Sequence, residues 1–473
     1  ATDRLAGCHR RPSPSAAEAQ PSARHAARPH LTRRAYAVSS FSARVHRLGA
    51  RVSEPVGDAV ERRVRTVRAR REAARYAEDV RALSFRHGYL VRRPGSTLPD
   101  AVAGWPRHEI AGFIYHLHPS TRLAVAAGQV VLLGDPVDVD SGTTSPEALA
   151  DRLLEAHGAS PDEAVRLASY LGGRWTLLLH SGHGSVTVMP DALASQDVWW
   201  DPDDGTIGSH EALVSHGTVL RPNSLLTVSS PSGDAGGVAT QVQPHSSGQR
   251  TVLNLGAEAA FSTFRGRLVA HTRLLTSLGR PGVALTGGPA SQAVLAAYLE
   301  HPRADGYTFT TFSPASARRS LDPAVDLFTA SQLAHAVGIP HRVLEVPPGV
   351  GGGTARGGQP MAEAYRGSYP SGQRPGVALA HASLPVGTVQ LHSAGADIVD
   401  LETWDDAAGR RAGLGFPEGD LAHRVLLPFN DRRLLELMLA MAAHPDPGAG
   451  LVARMADELP PLPIPLDELH ERG

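Results

Sequence analysis

One stretch of this chain, residues 283–291, joins an apolar strand directly to a small-residue loop and a helix. Val-Ala-Leu at 283–285 is followed by Thr-Gly-Gly-Pro-Ala-Ser at 286–291 and by a helical pattern over residues 292–299. In such a turn, glycine N–H groups and the positive end of the helix point at one small volume, with no Cβ in the way of an anion. Position 290 is alanine, so the loop itself offers no carboxylate for a metal ion. The stretch predicts a phosphate-binding loop formed by Thr286, Gly287, Gly288 and Ser291.

Strands and helices alternate around this loop. The predicted helices are residues 257–277, 291–300 and 323–337, and the predicted strands are 282–285, 307–312, 342–346 and 388–392. Alternation of this kind is typical of a mostly parallel sheet with helices on both faces. A ligand then binds at the carboxyl ends of the strands, where the glycine loop falls. Residues 348–375 are glycine-rich and are predicted to be a mobile loop over the site or to be disordered, and helices are predicted around 418–425 and 430–443.

The preceding part of the chain has a different pattern, in which short strands follow one another. We predict strands at residues 110–117, 123–126, 130–133, 175–180, 185–189 and 198–200, and helices at 146–158 and 161–170. A cluster of serine, proline and glycine within residues 229–250 indicates a linker or turn. The predicted organisation is an N-terminal region (1–105), a strand-rich domain (106–245) and a parallel-sheet domain (246–473), all of the α/β class.

The charge of the chain is unevenly distributed. All 46 basic residues are arginine, because the chain has no lysine. Residues 1–100 carry 21 Arg against 9 Asp and Glu, whereas the rest carries 25 against 38. Residues 1–50 are predicted to be disordered or loosely attached. Valines at helical spacing predict a basic, solvated helix over 55–84 that packs its valine stripe on the body of the protein. No aromatic residues interleave with the arginines, so the pattern does not favour nucleic acid as a partner.

Two further absences bear on localisation. The single cysteine, Cys8, cannot form an internal disulfide, which fits a reducing compartment. No run approaches the roughly 18 to 20 apolar residues of a membrane span, and we identify no signal peptide at the start. These features predict a cytoplasmic protein without membrane association.

The glycine loop resembles the Ser-Gly-Gly-x-Asp-Ser pyrophosphate loop of the asparagine synthetase family. Further segments follow in the order found in that family: residues 326–341, Ser-Ala-Gly-Ala-Asp at 393–397 and Leu-Pro-Phe-Asn-Asp at 427–431. Upstream, Leu-Gly-Gly-Arg-Trp at 171–175, Pro-Asp at 190–191, Val-Trp-Trp at 198–200 and Ser-His-Glu-Ala-Leu at 209–213 resemble the end of its glutaminase domain. The resemblance spans about 108–460. It implies an Ntn-hydrolase-like sandwich followed by a PP-loop domain of the adenine nucleotide α-hydrolase type, in a diverged member of actinobacterial type.

In that family, a glutaminase domain frees ammonia with an N-terminal cysteine. Here the resemblance places the corresponding strand at residues 108–112, with His or Glu where the nucleophile belongs, and Cys8 far upstream. The loop that stabilises the oxyanion in the family aligns with residues 133–138 and begins with Leu133, which cannot donate a hydrogen bond. Loss of one such donor costs on the order of 100- to 1000-fold in rate. We therefore predict a degenerate domain that does not hydrolyse glutamine.

The family's second domain adenylates a carboxylate with ATP and Mg²⁺, and an amine then displaces AMP. Thr286, Gly287, Gly288 and Ser291 match the residues that hold pyrophosphate, and Asp397 matches one of two magnesium ligands. The second ligand is Ala290, and Ile398 replaces a glutamate. The family's lysine is absent, with Gly450 or Leu451 near its position and Arg454 as a nearby cation. The catalytic residues are thus unknown.

Two functions remain open. One is an ATP-dependent, AMP-forming amide ligase that acts on a small-molecule or peptide carboxylate, with an amine from a source other than glutamine. The other is a pseudoenzyme that keeps the two-domain architecture as a binding or scaffold partner, as a homodimer or with a biosynthetic protein. A third alternative, that the glycines only permit a tight turn, also stands. Among smaller features, the residue pair His116 and His118 is compatible with a metal but is expected to be paired or exposed, and Trp175, Trp199 and Trp200 are expected to pack in cores.

Overall fold

The computed structural model describes residues 54–181, 184–229, 239–244, 255–347, 359–372, 374–405, 416–442 and 450–462. Two compact units are present, Ala1–Ala74 and Arg75–Gly473. Helix α1, Glu54–Leu83, confirms the predicted basic helix. Its Val67 is 45% exposed, and the packing of the valine stripe on the rest of the chain stays a prediction. Residues 1–50, including Cys8, lie outside the described part of the chain.

The strand-rich part begins with a six-stranded antiparallel sheet in the order β10-β8-β9-β1-β3-β2. The strands are β1 (Tyr89–Arg92), β2 (Arg107–Ile110), β3 (Phe113–Leu117), β8 (Trp199–Trp200), β9 (Ile207–Gly208) and β10 (Thr218–Val219). The single strand predicted over residues 110–117 is wrong. Ala111 and Gly112 both have positive φ and turn the chain back between β2 and β3. Strand β1 lies inside the sheet, although sequence reasoning assigned its residues to the N-terminal region.

A second antiparallel sheet has the order β12-β11-β7-β6-β5-β4. The strands are β4 (Leu123–Ala126), β5 (Val130–Val137), β6 (Gly172–Ser181), β7 (Ser185–Pro190), β11 (Ser224–Ser229) and β12 (Ala239–Pro244). The first four confirm predicted strands. The hairpin of β11 and β12 was not predicted, and β12 lies within the segment predicted to be a linker; residues 230–238 and 245–254 of that region lie outside the described residues.

The two sheets pack face to face. One core contains residues of both, such as Tyr115 and Leu178. The outer face of the second sheet packs, through Trp175, on helices α2 (Pro146–Ala159) and α3 (Pro161–Ala168), which confirm the predicted helices. Serine side chains cap both helices at their N-termini. The result is a sheet–sheet–helix arrangement.

The remaining strands form a five-stranded parallel sheet, as predicted, in the order β15-β14-β13-β16-β17. They are β13 (Arg280–Ala284), β14 (Tyr307–Phe312), β15 (His341–Glu345), β16 (Thr388–Leu391) and β17 (Arg424–Leu426). The helices are α4 (Ala257–Thr276), α5 (Pro289–Leu299), α6 (Pro314–Ala317), α7 (Asp322–Ala336), α8 (Gln359–Ser368), α9 (Pro375–His381), α10 (Leu401–Asp405), α11 (Phe416–Asp420), α12 (Arg432–Ala442) and α13 (Leu451–Ala456). The described residues therefore form a mixed α/β fold with two antiparallel sheets and one parallel sheet.

Two predictions in this part are wrong. The helix predicted at 418–425 is the short helix α11 followed by strand β17, because this segment pairs with β16 at the edge of the sheet. The loop predicted at 348–375 contains helices α8 and the start of α9; residues 348–358 and 373 lie outside the described residues. No helix among the described residues is long and apolar enough to cross a bilayer.

Candidate functional site

The parallel sheet has a topological switch point between β13 and β16. From β13 the chain continues outward to β14 and β15, and it then returns to the other side of β13 to form β16 and β17. In open α/β sheets, ligands bind in the crevice at such a point, beyond the carboxyl ends of the strands. Val283 of β13 is in register with Leu391 of β16, so the segments that follow both strands emerge at the same edge of the sheet. These segments are the glycine loop and the turn that carries Asp397.

The glycine loop ends in helix α5. Gly288 is the N-cap of this helix, and Pro289 follows at its first position. The first N–H groups of a helix have no hydrogen-bond partner within the helix. Ala290 and Ser291 lie in the first turn of α5, so their amides are of this kind. The Ser291 side chain is buried, and its Oγ lies 3.0 Å from both the amide nitrogen and the Oγ1 of Thr286. The four predicted loop residues are thus together at the start of α5.

Gly287 is held from two sides. Its N–H donates to Oδ1 of Asp326 on α7 at 3.1 Å, and its carbonyl accepts from Nε2 of Gln292 on α5 at 2.8 Å. A Cβ at Gly287 would lie 2.7 Å from the Asp326 oxygen, so a larger residue here would force the Asp326 side chain to move. At Gly288, a Cβ would meet only Thr286 Oγ1, at 3.8 Å. The space above Gly288 is therefore open, whereas the space beside Gly287 is filled by a carboxylate.

The turn after β16 places Asp397 at the surface beside a buried neighbour. Gly395 has φ of 91°, and a Cβ there would lie 2.8 Å from Leu193 of the strand-rich part. Asp397 is exposed, whereas Ile398 is only 1% exposed and belongs to the core of the parallel-sheet part. Ile398 therefore stabilises the fold and offers no ligand atom.

Arg454 does not point to the loop as a substitute for the missing lysine. Its Nη2 lies 2.8 and 3.0 Å from the two carboxylate oxygens of Glu258 on α4. Its guanidinium also stacks over Phe261, 4.1 Å from the ring centre. The ion pair to an 88% exposed carboxylate is weak by itself, and the contact with the aromatic ring adds to it in holding the guanidinium against α4. Arg454 therefore acts between α13 and α4.

A small pocket lies at the start of β1 and is lined mainly by polar side chains that are buried or half-buried. We call it the Arg174 pocket. Arg174 Nη1 donates to Asp420 Oδ1 at 2.6 Å, and its Nε has no partner among the described residues. Burial disfavours the charge on Arg174, but Asp420 outweighs it and raises the pKa. Burial, with Arg174 nearby, lowers the pKa of His87 and of His210 to about 3 in each case. The cavity thus combines fixed charges with neutral imidazoles.

The positions expected to carry glutaminase chemistry hold no nucleophile. The strand predicted to bear it, at 108–112, is the edge strand β2 and its turn, and His108 is exposed. The inner strand β1 is instead preceded by Arg86 and His87, which line the Arg174 pocket. Leu133 is fully buried in the core between the two sheets. That glutamine is not hydrolysed stays a prediction, and these placements are consistent with it.

Within the described residues, the crevice contains no preformed group of three metal ligands. The one close group of His, Cys, Asp and Glu side chains there is Asp201, Asp203 and His216, on the turn between β8 and β9 and the segment before β10, and it is mostly exposed. His116 and His118 are buried and have separate polar partners, so they do not form a metal pair. Of the crevice residues, Asp397 alone matches a predicted metal ligand.

The contact of Asp326 with Gly287 was not predicted. Asp326 stands in the segment that resembles the family's second helix, but its sequence position does not show that its side chain reaches a loop 39 residues earlier. The only signal in the sequence was an acidic residue in the second turn of helix α7.

The tryptophans expected to pack in cores do so. Trp175 is in the core, and Trp199 and Trp200 pack against hydrophobic clusters.

No family model and no curated protein matches this chain. Among solved structures, it is similar to glutamine-dependent NAD+ synthetase from Acinetobacter baumannii in complex with adenosine diphosphate, at 14% sequence identity and a TM-score of 0.16. The match covers 32% of this chain and 28% of the synthetase. The chain thus matches less than a third of that enzyme's length, and a similarity of this extent carries no argument about the present site.

Proposed function

We propose that the protein is an ATP-dependent, AMP-forming amide ligase of the asparagine synthetase type, without glutaminase activity. The observation that carries the proposal is the switch point between β13 and β16. It brings the glycine loop and the Asp397 turn, which are about a hundred residues apart in sequence, to one edge of the sheet. This is the edge at which open α/β sheets bind nucleotides.

The fold supports this proposal in its general outline. Two face-to-face antiparallel sheets with helices outside are compatible with an Ntn-hydrolase-like sandwich. A parallel sheet whose strands, numbered from β13, run in the order 3-2-1-4-5 is compatible with a PP-loop domain. Thr286, Gly287, Gly288 and Ser291 would hold the pyrophosphate of ATP.

The residues of the crevice fit a magnesium–nucleotide complex only if the nucleotide itself supplies most of the ligands. Mg²⁺ is commonly held by one or two carboxylates together with substrate phosphates and water. Asp397 would be that carboxylate, and Ala290 cannot be a second. When bound, the ion would neutralise phosphate charge. The chain would contribute the amides at the start of α5 and the hydroxyls of Thr286 and Ser291.

Calorimetric titration with ATP and Mg²⁺ tests the proposal. The wild-type protein should bind, and the Asp397→Ala variant should bind at least about tenfold more weakly, because the metal loses its protein ligand. Asp405→Ala, which changes an acidic residue in α10 outside the Asp397 turn, is the matched control and should bind like the wild type. Absence of binding in all three proteins would contradict the proposal.

A second candidate function, a non-catalytic binding or scaffold protein, is favoured by two specific observations. Ile398 is buried where the family has a glutamate, and Arg454 is committed to Glu258. In this case, the partner would be a second copy of the chain or a biosynthetic protein. Binding of Mg·ATP without any ATP-dependent consumption of a small-molecule or peptide carboxylate would favour this function.

A further inference from the structure

The glycine loop already has an anion on one of its amides. The carboxylate of Asp326, on helix α7, accepts the Gly287 N–H at 3.1 Å. The carbonyl of Gly287, which belongs to the next peptide plane, accepts from Nε2 of Gln292, so the backbone is held on both sides of the Gly287 Cα. A phosphate that takes up this amide must displace Asp326 or share the hydrogen bond with it.

The other loop amides have neutral acceptors. The Thr286 N–H donates to Ser291 Oγ at 3.0 Å, and the Gly288 N–H approaches Thr286 Oγ1 at 3.3 Å. A hydroxyl can rotate and donate to an incoming phosphate oxygen, whereas an ionised carboxylate only accepts. Asp326 is therefore the one acceptor among these three that opposes a phosphate both by its hydrogen bond and by its charge.

We propose that Asp326 is a specificity-determining residue that competes with bare phosphate groups for the glycine loop and keeps their affinity low. The inference rests on the proposed nucleotide site, because it concerns the ligand class that this site accepts. Like charges at contact distance repel, and the repulsion near a protein surface is stronger than in bulk water. Polyphosphate would bind well only when its own charge is neutralised by a cation or when the carboxylate is removed.

The test is calorimetric titration with inorganic pyrophosphate in the absence of divalent cations. Asp326→Asn keeps a carbonyl oxygen that can accept the Gly287 N–H but removes the charge. It should bind pyrophosphate at least about tenfold more tightly than the wild type. Asp322→Asn changes an acid one turn earlier in α7, which bonds to Ser320, and should bind like the wild type. Thermal unfolding should show that both variants are folded.

Equal or weaker binding by Asp326→Asn would overturn the inference, as would the absence of pyrophosphate binding in every variant. The Mg·ATP titration separates this result from the proposed function. Tighter pyrophosphate binding by Asp326→Asn, together with Mg·ATP binding that does not depend on Asp397, would support the inference and contradict the ligase site. An Asp397-dependent Mg·ATP affinity with no effect of Asp326→Asn on pyrophosphate would support the site and overturn the inference.

Discussion

The crevice beyond β13 and β16 and the Arg174 pocket differ in the groups that make them polar. In the crevice, most of the polar groups are backbone amides and hydroxyls of one short segment, and Asp397 is exposed. In the Arg174 pocket, they are buried charged and imidazole side chains from elements far apart in sequence. A site built from backbone tolerates changes of side chains around it, whereas a site built from buried side chains depends on packing and on pH. Substitutions in the two regions should therefore have different consequences.

The largest effect is expected at Asn430, which follows β17 and bonds to the strand-rich part beside the Arg174 pocket. The Nδ2 of this fully buried side chain has two hydrogens and lies within hydrogen-bonding distance of three acceptors, which are the Gly173 carbonyl, Asp191 Oδ1 and Ser195 Oγ of the Arg174 pocket. Its Oδ1 accepts the Leu193 N–H. Asn430→Ala leaves several buried groups unsatisfied, so we expect a loss of about 3 kcal/mol or more in the free energy of unfolding. Chemical denaturation measures it.

Ser195→Ala is the matched control, because it removes only one of these partners. A loss of about 1 kcal/mol is expected. If Asn430→Ala proved no more destabilising than Ser195→Ala, the polar network would not be what joins the strand-rich part to the parallel-sheet part.

The next effect concerns the two glycines of the crevice. Gly395→Ala places a Cβ at positive φ and 2.8 Å from Leu193, so a loss of about 2 kcal/mol in the free energy of unfolding is expected. Gly288→Ala has open space and φ of −85°, so it should leave stability nearly unchanged while weakening Mg·ATP binding. Denaturation and calorimetry of both variants measure these effects. Equal destabilisation by the two substitutions would contradict the assignment of Gly288 to open space.

A pH effect is expected from the Arg174 pocket. Burial first, and then Arg174, His118 and His87, lower the pKa of His210 to about 3. The unfolded chain therefore binds the proton more readily, so this contribution to stability is complete above about pH 6.5 and falls as the pH drops towards 3. The slope is up to about 1.4 kcal/mol per pH unit for one group.

His210→Gln should reduce the slope of unfolding free energy against pH between about 6.5 and 3. His216→Gln, which changes a side chain that is 76% exposed, is the control and should leave the slope unchanged. An unaltered slope in His210→Gln would show that this imidazole is protonated in the folded protein.

The smallest effect is a gain of affinity. Ala290→Asp restores a carboxylate at the half-buried first turn of α5, next to the loop amides. With Mg²⁺ present, binding of ATP should tighten a few-fold, and without Mg²⁺ it should weaken because of charge repulsion. Ala293→Ser, in the buried face of α5, changes a side chain away from the crevice and serves as a control for altered helix stability. Weaker binding of Mg·ATP by Ala290→Asp would mean that position 290 does not face the metal.

Much of the parallel-sheet part could be predicted, because the alternation of apolar strands and helices is visible in short segments of the sequence. The glycine loop and the Asp397 turn were also identified, since each is a contiguous motif. Strand β1 was missed, because four residues flanked by arginines carry too little periodicity, and its pairing with β3 and β9 is not local. The contact between Asp326 and Gly287 was missed for the same reason, since it depends on how α7 packs beside the loop.

We infer that the glycine loop and the Asp397 turn form one nucleotide site and that the Arg174 pocket is separate from it. Hydrogen–deuterium exchange with and without Mg·ATP tests this claim directly. Amides within residues 286–291 and within 393–397 should both become protected on addition of Mg·ATP, while residues 86–90 and 209–211 should exchange as before. Protection confined to the Arg174 pocket, or unchanged exchange in both crevice segments, would contradict the claim.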